Sequence, residues 1–285
     1  MFGKVKTTAV IALCTVAAGV LAAGVANAHQ GPFSGTAKID VEGRAVNVSC
    51  SGGSARTKPV VVLMAGLGDG LDTMAPFQRT LSGTNRVCSY DRLGEGASDR
   101  PNGPQTVGSA GRVLTGVIRE VAGDRPVVLV GHSLGGLIAA RYAPDHRDTV
   151  KGLVLLDATS PTMVADVERV IPESATGLAA EVREQSVATF RGENPEQLVI
   201  TDGRVRSAGD IPVEVVQHGQ PYLAGVPDVG PGLERAWSDG QRAWLGVSCR
   251  GVLSTAAESG HYIHVDQPDV AVRAVQRVVS RAARG

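Results

Sequence analysis

Mainly apolar runs alternate with amphipathic segments along most of the chain. The clearest runs are 59–65 (PVVVLMA), 126–130 (PVVLV) and 150–156 (VKGLVLL). Such runs are typical of strands that are buried on both faces of a sheet. Further strands are predicted at 36–41, 44–50, 86–90, 211–216 and 252–257, and the first two form a hairpin around Glu42 and Gly43.

Apolar residues recur at helical spacing between these strands. The predicted helices are 73–81, 105–121, 134–142 and 269–283. Pro268 and Asp269 suit the start of the last helix, since proline needs no hydrogen bond there and a carboxylate favours the positive helix end. The alternation of strands and helices predicts the α/β class, with a mostly parallel sheet covered by helices on both faces.

Residues from Thr159 to about Asp210 interrupt this alternation. They contain no strand-like run, and their apolar positions are loosely helical. An insertion of ~50 residues exceeds the ~2–6 residues that such a connection needs. We therefore expect a helical cap at about 159–210, over the C-terminal edge of the sheet. The alternative is a long surface excursion without a role.

The first 28 residues have the layout of a secretory signal peptide. Lys4 and Lys6 precede the apolar stretch 8–25, and Ala26 and Ala28 provide small residues for cleavage. The alternative is a membrane anchor, because a spanning helix needs ~17–25 residues. Alanine and glycine dominate the stretch, which favours cleavage after Ala28. We expect a secreted protein, extracellular or in the cell envelope, with residues 29–285 forming one α/β domain and no stable membrane anchor.

The charge and composition of the chain restrict the classes of partner that it can bind. The 285 residues include 28 basic and 28 acidic side chains, which leaves no positive surplus to bind nucleic acid. No cysteine or histidine spacing suggests a metal site. We expect a monomer whose partner is a small molecule and which uses neither a metal nor an organic cofactor.

Residues 131–135 (GHSLG) form a G-x-S-x-G motif. The motif directly follows a predicted strand and opens a predicted helix, which is the setting of a nucleophile elbow. Glycines two residues to either side allow the tight turn that exposes the serine hydroxyl. Ser133 is therefore the candidate nucleophile. The alternative is a strand-to-helix turn that happens to contain serine.

A serine nucleophile needs a base, and six histidines are available. His261 follows the last predicted strand, so it lies at the same sheet edge as Ser133. His264 is the alternative base, whereas His132 is expected to have a packing or orienting role. The glycine-rich residues 66–70 after an early strand predict that the N–H groups of Leu67 and Leu134 form an oxyanion hole.

The chain resembles the α/β-hydrolase superfamily, and within it the secreted, capped, lipase- or esterase-like bacterial members. The resemblance rests on the segments PVVVLMAGLGDG, RVCSYDRLGEGASD, VVLVGHSLGGLIAARYA, VKGLVLLDATSP and ESGHYIHVDQPDVAVRAV. It implies a mostly parallel sheet of the eight-stranded type, with Ser133 as nucleophile, His261 as base, and Leu67 and Leu134 as oxyanion donors. It also implies that strand 44–50 lies beside strand 86–90.

The sequence departs from this family where the acid of the triad usually stands. His218 and Gly219 are followed by Gln220-Pro221-Tyr222-Leu223-Ala224, without a carboxylate. We expect Asp157 to be the acid, since it ends strand 150–156 and some lipases of the superfamily place their acid there. Asp228, nine residues beyond Gly219, is the alternative. Asp157 would then only stabilise its turn.

The implied neighbourhood of strands 44–50 and 86–90 predicts a Cys50–Cys88 disulfide with Cys249 free, if the register allows it. Three separate thiols remain the alternative.

These features together predict a secreted serine hydrolase that cleaves a carboxylic ester, or a related acyl bond, through an acyl-enzyme. We expect a preference for short-to-medium acyl chains. The alternatives are a non-catalytic ligand-binding protein on a hydrolase scaffold, a peptidase and a cofactor-free perhydrolase.

Overall fold

The computed structural model describes residues 33–53 and 57–284, so the predicted signal peptide 1–28 lies outside the described residues. The strands are β1 (Gly35–Val41), β2 (Arg44–Ser51), β3 (Val60–Met64), β4 (Val87–Tyr90), β5 (Gln105–Thr106), β6 (Val127–His132), β7 (Val150–Leu156), β8 (Leu198–Val199), β9 (Val213–His218) and β10 (Gly251–Ala256). The helices are α1 (Leu71–Ser82), α2 (Val107–Ala122), α3 (Leu134–Tyr142), α4 (Met163–Val170), α5 (Gly177–Phe190), α6 (Gly230–Ala243), α7 (Ile263–Asp266) and α8 (Pro268–Ala282).

Eight strands form one sheet in the order β1-β2-β4-β3-β6-β7-β9-β10. The β1–β2 and β2–β4 pairs are antiparallel, and the other pairs are parallel. The predicted mostly parallel sheet is therefore confirmed, and β2 (44–51) lies beside β4 (87–90). The parallel arrangement brings the ends of β3, β6, β7, β9 and β10 to one edge.

Alternate residues of the central strands enter two apolar layers, one on each face of the sheet. Val60, Val62 and Met64 of β3 belong to the layer that includes residues of α2 and α3. Val61 and Leu63 belong to the other layer, with residues of α1 and α8. Both faces of the strands are thus buried, which explains why the strand sequences are continuous apolar runs.

The register of β2 and β4 places Cys50 directly opposite Cys88. Their Cα atoms are 4.1 Å apart, and the two residues are joined by a disulfide. Cys249 is unpaired and exposed.

The insertion between β7 and β9 contains α4 and α5, and it differs from the predicted cap in two respects. The first difference is β8, a two-residue strand that pairs with β5 where the sequence predicted no strand. The second is α6, a helix outside 159–210 for which the sequence analysis predicted no element. Leu233 of α6 shares an apolar cluster with Val167 and Ile171. The cluster therefore unites α6 with the helices of the insertion.

Two element boundaries differ from the predicted ones, and the second difference affects the site. Helix α2 begins at Val107 rather than at residue 105, because Thr106 is its N-cap and accepts a hydrogen bond from the Ser109 N–H. Strand β9 begins after Pro212, which has no N–H for the ladder, and runs on to His218. That extension carries His218 to the C-terminal edge of the sheet. In the described part of the chain, no helix is long and apolar enough to cross a membrane.

Candidate active site

Ser133 occupies a sharp turn between β6 and α3, with φ 49° and ψ −119°. A positive φ is unfavourable for a residue with a side chain, so the surroundings must enforce it. A Cβ on Gly131 would lie 2.4 Å from the Gly136 nitrogen, and one on Gly135 would lie 2.4 Å from the Met64 carbonyl oxygen. Only glycine fits at these two positions, which explains the spacing of the motif.

The predicted oxyanion donors, Leu67 and Leu134, belong to two elements that meet beside Ser133. Leu67 lies in the loop after β3, and Leu134 is the first residue of α3. All three residues line the same cavity. The structure therefore brings the proposed donors and the serine together.

Buried polar groups hold the loop 66–70 that contains Leu67. Arg92 donates to the Ala65 and Gly66 carbonyl oxygens at 2.6 and 2.7 Å, and it forms a buried ion pair with Glu196 at 2.6 Å. Burial alone lowers the pKa of Arg92, but Glu196 outweighs that effect and the pKa is raised. The charged Arg92 side chain therefore holds the start of the loop in place.

Glu95 supports the same loop by accepting a hydrogen bond from the Gly68 N–H at 2.8 Å. Burial raises the pKa of Glu95 to about 7, although the Gly68 N–H opposes this shift. The sequence analysis assigned no role to either Arg92 or Glu95.

His261 and Asp157 contact each other at the C-terminal edge of the sheet. His261 Nδ1 lies 2.7 Å from Asp157 Oδ2, across 104 residues of sequence. His132 Nε2 lies 3.0 Å from the His261 carbonyl oxygen, to which it can donate and so orient the loop. This contact agrees with the orienting role expected for His132.

Asp157 has no exposed surface and accepts several hydrogen bonds. Besides His261, the donors are Trp237 Nε1 at 2.8 Å, His218 Nδ1 at 2.9 Å and the His218 backbone N–H at 3.1 Å. Burial by itself raises the pKa of Asp157, but the hydrogen bonds from His218 and His261 outweigh it, and the pKa is lowered. Asp157 is therefore ionised at neutral pH.

His218 is a second histidine on the same carboxylate. Its Nε2 lies 2.8 Å from Glu234 Oε2, so both ring nitrogens face carboxylates. By contrast, within the described chain the Nε2 atom of His261 has no hydrogen-bond partner, and His261 lines the cavity together with Ser133. Of these two histidines, only His261 has a nitrogen available for chemistry.

Ser133 and His261 share the cavity but are not hydrogen-bonded to each other in the described structure. The Ser133 hydroxyl instead lies 3.5 Å from Thr159 Oγ1. Such contacts are often long in unliganded enzymes and tighten when substrate binds.

The cavity beside Ser133 has a volume of about 310 Å³. Its walls come mainly from the insertion and from α6, and they are largely apolar. Besides Leu67 and Leu134, the apolar lining includes Met163, Val167, Val182, Phe190, Ile200, Leu223, Leu233, Ala236 and Trp237. A cavity of this size and polarity suits a small apolar group.

The alternative site residues lie elsewhere. Asp228 is exposed, in a separate surface depression with Arg169 and Arg235. His264 is buried against Phe77 and His132, and burial lowers its pKa to about 4. Neither residue contacts Asp157, Ser133 or the cavity. Among the described residues, no group of three potential ligands could hold a metal ion.

Besides Arg92 and Glu95, three residues at this site had no predicted role: His218, Trp237 and Glu234. Trp237 and Glu234 belong to α6, whose apolar residues Leu233, Ala236, Trp237 and Gly240 follow helical spacing. That spacing could have revealed the helix. Nothing in the sequence reveals that the helix packs against Asp157.

Comparison with known proteins places this architecture in a family. Residues 59–196 match the family described as having the alpha/beta hydrolase fold. The chain therefore has the alpha/beta hydrolase fold, and residues 59–196 are similar to members of that family.

Similarity to individual curated proteins is partial. One segment of 105 residues is 33% identical to the bovine (lyso)-N-acylphosphatidylethanolamine lipase. The match covers 36% of this chain and 31% of that protein. Another is 30% identical over 144 residues to proline iminopeptidase of Saccharolobus solfataricus, covering 49% of this chain and 46% of the relative. The chain thus spans less than half the length of either relative.

Among solved structures, an esterase from Thermogutta terrifontis has a TM-score of 0.62 at 18% identity and covers 88% of this chain and 100% of its own. A bacterial membrane phospholipase A has a TM-score of 0.59 at 18% identity, covering 88% and 87% respectively. At these identities the likeness concerns the fold alone.

Proposed function

We propose that the protein is a serine hydrolase that cleaves carboxylic esters of short-to-medium acyl chains through an acyl-enzyme. The observation that carries this proposal is the grouping of a strained Ser133 with His261, hydrogen-bonded to Asp157 at 2.7 Å, around one apolar cavity. A strained serine has a cost in stability, which a purely ligand-binding protein would have no reason to retain.

In this mechanism, the His261 Nδ1–H donates to Asp157, which leaves the Nε2 lone pair free to act as the base. Ser133 Oγ attacks the substrate carbonyl carbon while His261 Nε2 takes the serine proton. The N–H groups of Leu67 and Leu134 stabilise the resulting oxyanion. His261 then gives the proton to the leaving alcohol, and a water molecule activated by His261 hydrolyses the acyl-enzyme.

The cavity supports an apolar acyl group as the part of the substrate that is recognised. Among the described residues that line it, the one carboxylate is Asp166, which is already engaged by Thr162 at 2.8 Å and by Arg169 at 2.7 Å. An engaged carboxylate is poorly placed to bind the free amino group of a peptide. Among p-nitrophenyl esters of graded length, we expect the highest kcat/KM at short-to-medium chains, and a maximum at long chains would contradict this preference.

The central experiment is labelling with a fluorophosphonate probe. We expect stoichiometric labelling of the purified protein at Ser133, and loss of labelling and of esterase activity in Ser133→Ala. Ser280→Ala, on the exposed face of α8, is the matched control and should label normally. If the folded wild-type protein neither labels nor turns over any ester, the proposal is wrong.

We also propose that the protein is exported with cleavage after Ala28, on the basis of the Lys4, Lys6 and Ala26 pattern described above. The Cys50–Cys88 disulfide fits an oxidising compartment. Sequencing the N-terminus of exported protein should give a chain that begins at His29, and an intact Met1 terminus would contradict cleavage.

A further inference from the structure

The ring of His218 bridges two carboxylates. Nδ1 lies 2.9 Å from Asp157 Oδ1, and Nε2 lies 2.8 Å from Glu234 Oε2. The side chain is only 8% exposed, so water does not readily replace either contact. A neutral imidazole carries one N–H, whereas two carboxylate partners require two. The ring satisfies both contacts only as the imidazolium cation.

Glu234 is fixed in place by the backbone rather than being a mobile surface group. Its Oε1 accepts hydrogen bonds from the N–H groups of Leu223 and Ala224, at 2.6 and 3.2 Å. The other oxygen, Oε2, therefore faces His218. These contacts also tie the 3₁₀ turn Tyr222–Gly225, which forms part of the cavity wall, to helix α6.

On the assumption that the triad proposed above operates, we propose that His218 is a positioning residue, held as a cation between Asp157 and Glu234, that fixes the Asp157 carboxylate for His261 and offsets part of its charge. Asp157 then serves two histidines. One is the base, and the other is a permanent counter-charge.

The charged and titratable groups around His218 support this arrangement. Asp157 and Glu234 face the ring, and Tyr222 packs edge-on against it with ring centroids 4.8 Å apart. Burial alone lowers the pKa of His218, but the contacts with the two carboxylates outweigh it, and the pKa is raised.

The groups around His261 are Asp157, Tyr222, His132, Tyr262, His264 and Asp69. Burial lowers the pKa of both His132 and His264, so these two rings are neutral at pH 7. Burial also disfavours the charged form of the Asp69 carboxyl group, which raises its pKa. Among the described residues around the Asp157–His261 pair, His218 therefore carries the positive charge.

A cation beside Asp157 offsets the negative charge of this carboxylate. Because like charges repel, a cationic His218 disfavours a second positive charge on the same carboxylate. The net negative charge of Asp157, His218 and Glu234 together then lies on Glu234. Asp157 still accepts the hydrogen bond from His261. This predicts that the enzyme retains activity in mildly acidic solution because of His218.

The charge state of His218 is measured directly by NMR of the wild-type protein with ¹⁵N-labelled histidine, the spectrum of His218→Gln providing the assignment. We expect both ring nitrogens of His218 to be protonated at pH 7.5. Glu234→Gln leaves every contact to Asp157 in place. In this variant, His218 should lose its proton at a lower pH than in the wild-type protein. A neutral His218 ring in the wild-type protein at pH 7 would overturn the proposal.

The kinetic test is the pH dependence of kcat/KM in His218→Gln, in which the amide still donates to Asp157 but carries no charge. We expect the acidic limb to move to higher pH by about one unit, the size expected for loss of a nearby charge in a partly buried site. His146→Gln, a histidine stacked on Tyr142 outside the cavity, is the matched control and should not shift the limb.

A loss of kcat/KM that is equal at all pH values in His218→Gln would show a merely structural role and overturn the proposal, as would an unchanged profile. If His218→Gln does not fold, the histidine resonances that shift in Glu234→Gln identify His218, since its Nε2 contacts Glu234, and the wild-type spectrum still decides its charge. The NMR measurement needs no turnover. An inactive wild-type protein would therefore contradict the proposed function, whereas the spectrum would still decide the charge of His218.

Discussion

Asp157 is the residue on which the polar contacts of the site converge. Its carboxylate lies at the end of β7 with φ 44°, is fully buried, and accepts hydrogen bonds from His261, His218 and Trp237. A buried carboxylate with this many donors remains ionised and cannot rotate freely. Those are the properties needed to fix one tautomer of a catalytic histidine.

We therefore expect Asp157→Asn to lower kcat for ester hydrolysis on the order of 10⁴-fold, by analogy with the serine-protease triad. Asp228→Asn, which alters an exposed carboxylate in a neighbouring loop, is the matched control and should retain normal kcat. Urea unfolding of both variants would separate loss of chemistry from loss of fold. Normal kcat in Asp157→Asn would show that another residue is the acid.

A second prediction at this scale concerns His264, whose two ring nitrogens have no partner in the described structure. Burial lowers its pKa from the ordinary value of 6.5 to about 4. Between these values the unfolded chain binds a proton that the folded chain does not, so stability is present above pH 6.5 and is lost as pH falls toward 4.

In His264→Phe, we expect the free energy of unfolding to decline less between pH 7 and pH 4 than in the wild-type protein, by on the order of 3 kcal/mol. Urea unfolding across this pH range measures the difference. His132 contributes in the same direction, because burial also lowers its pKa, so some acid sensitivity should remain. An identical pH dependence of the free energy of unfolding in His264→Phe would contradict the lowered pKa of His264 in the folded protein.

At the scale of elements, the loop 66–70 depends on an ion pair that links it to the insertion. Arg92 binds the loop carbonyl groups, and Glu196 lies in the insertion just before β8, with side chains only 4% and 1% exposed. Removing one partner of such a pair leaves an uncompensated buried charge. The pair therefore couples the position of Leu67 to the insertion.

Glu196→Gln should lower the free energy of unfolding by about 3–5 kcal/mol, because Arg92 loses its counter-charge while the volume is kept. Chemical denaturation measures the loss. Arg242→Gln, which breaks the exposed Arg242–Asp239 pair, is the control and should leave stability unchanged. A similar small effect in both variants would mean that the buried pair does not hold the loop.

At the scale of the whole molecule, the Cys50–Cys88 disulfide fastens the antiparallel β2 strand to the parallel part of the sheet. The two cysteines are separated by 38 residues, and closing a loop of that size stabilises a protein by about 2–4 kcal/mol. We expect Cys50→Ser/Cys88→Ser to lose about this much stability, and Cys249→Ser to lose none. Non-reducing peptide mapping that links Cys249 to either partner would contradict this pairing.

The fold and much of the candidate site follow from local sequence patterns. Strands buried on both faces are continuous apolar runs, and the turn at Ser133 needs glycines at fixed positions, so both can be recognised without tertiary structure. The ends of parallel strands meet at one sheet edge, which is why Asp157 and His261 could be paired across 104 residues.

Only the tertiary structure decided the register and the packing of helices on that edge. Cys50 and Cys88 could bond only if β2 and β4 were aligned residue for residue, which no local pattern specifies. His218, Glu234 and Trp237 surround Asp157 because β9 extends to His218 and α6 packs over the site. A linear sequence determines which residues favour strands, turns and helices, whereas contacts between distant side chains depend on how those elements pack together.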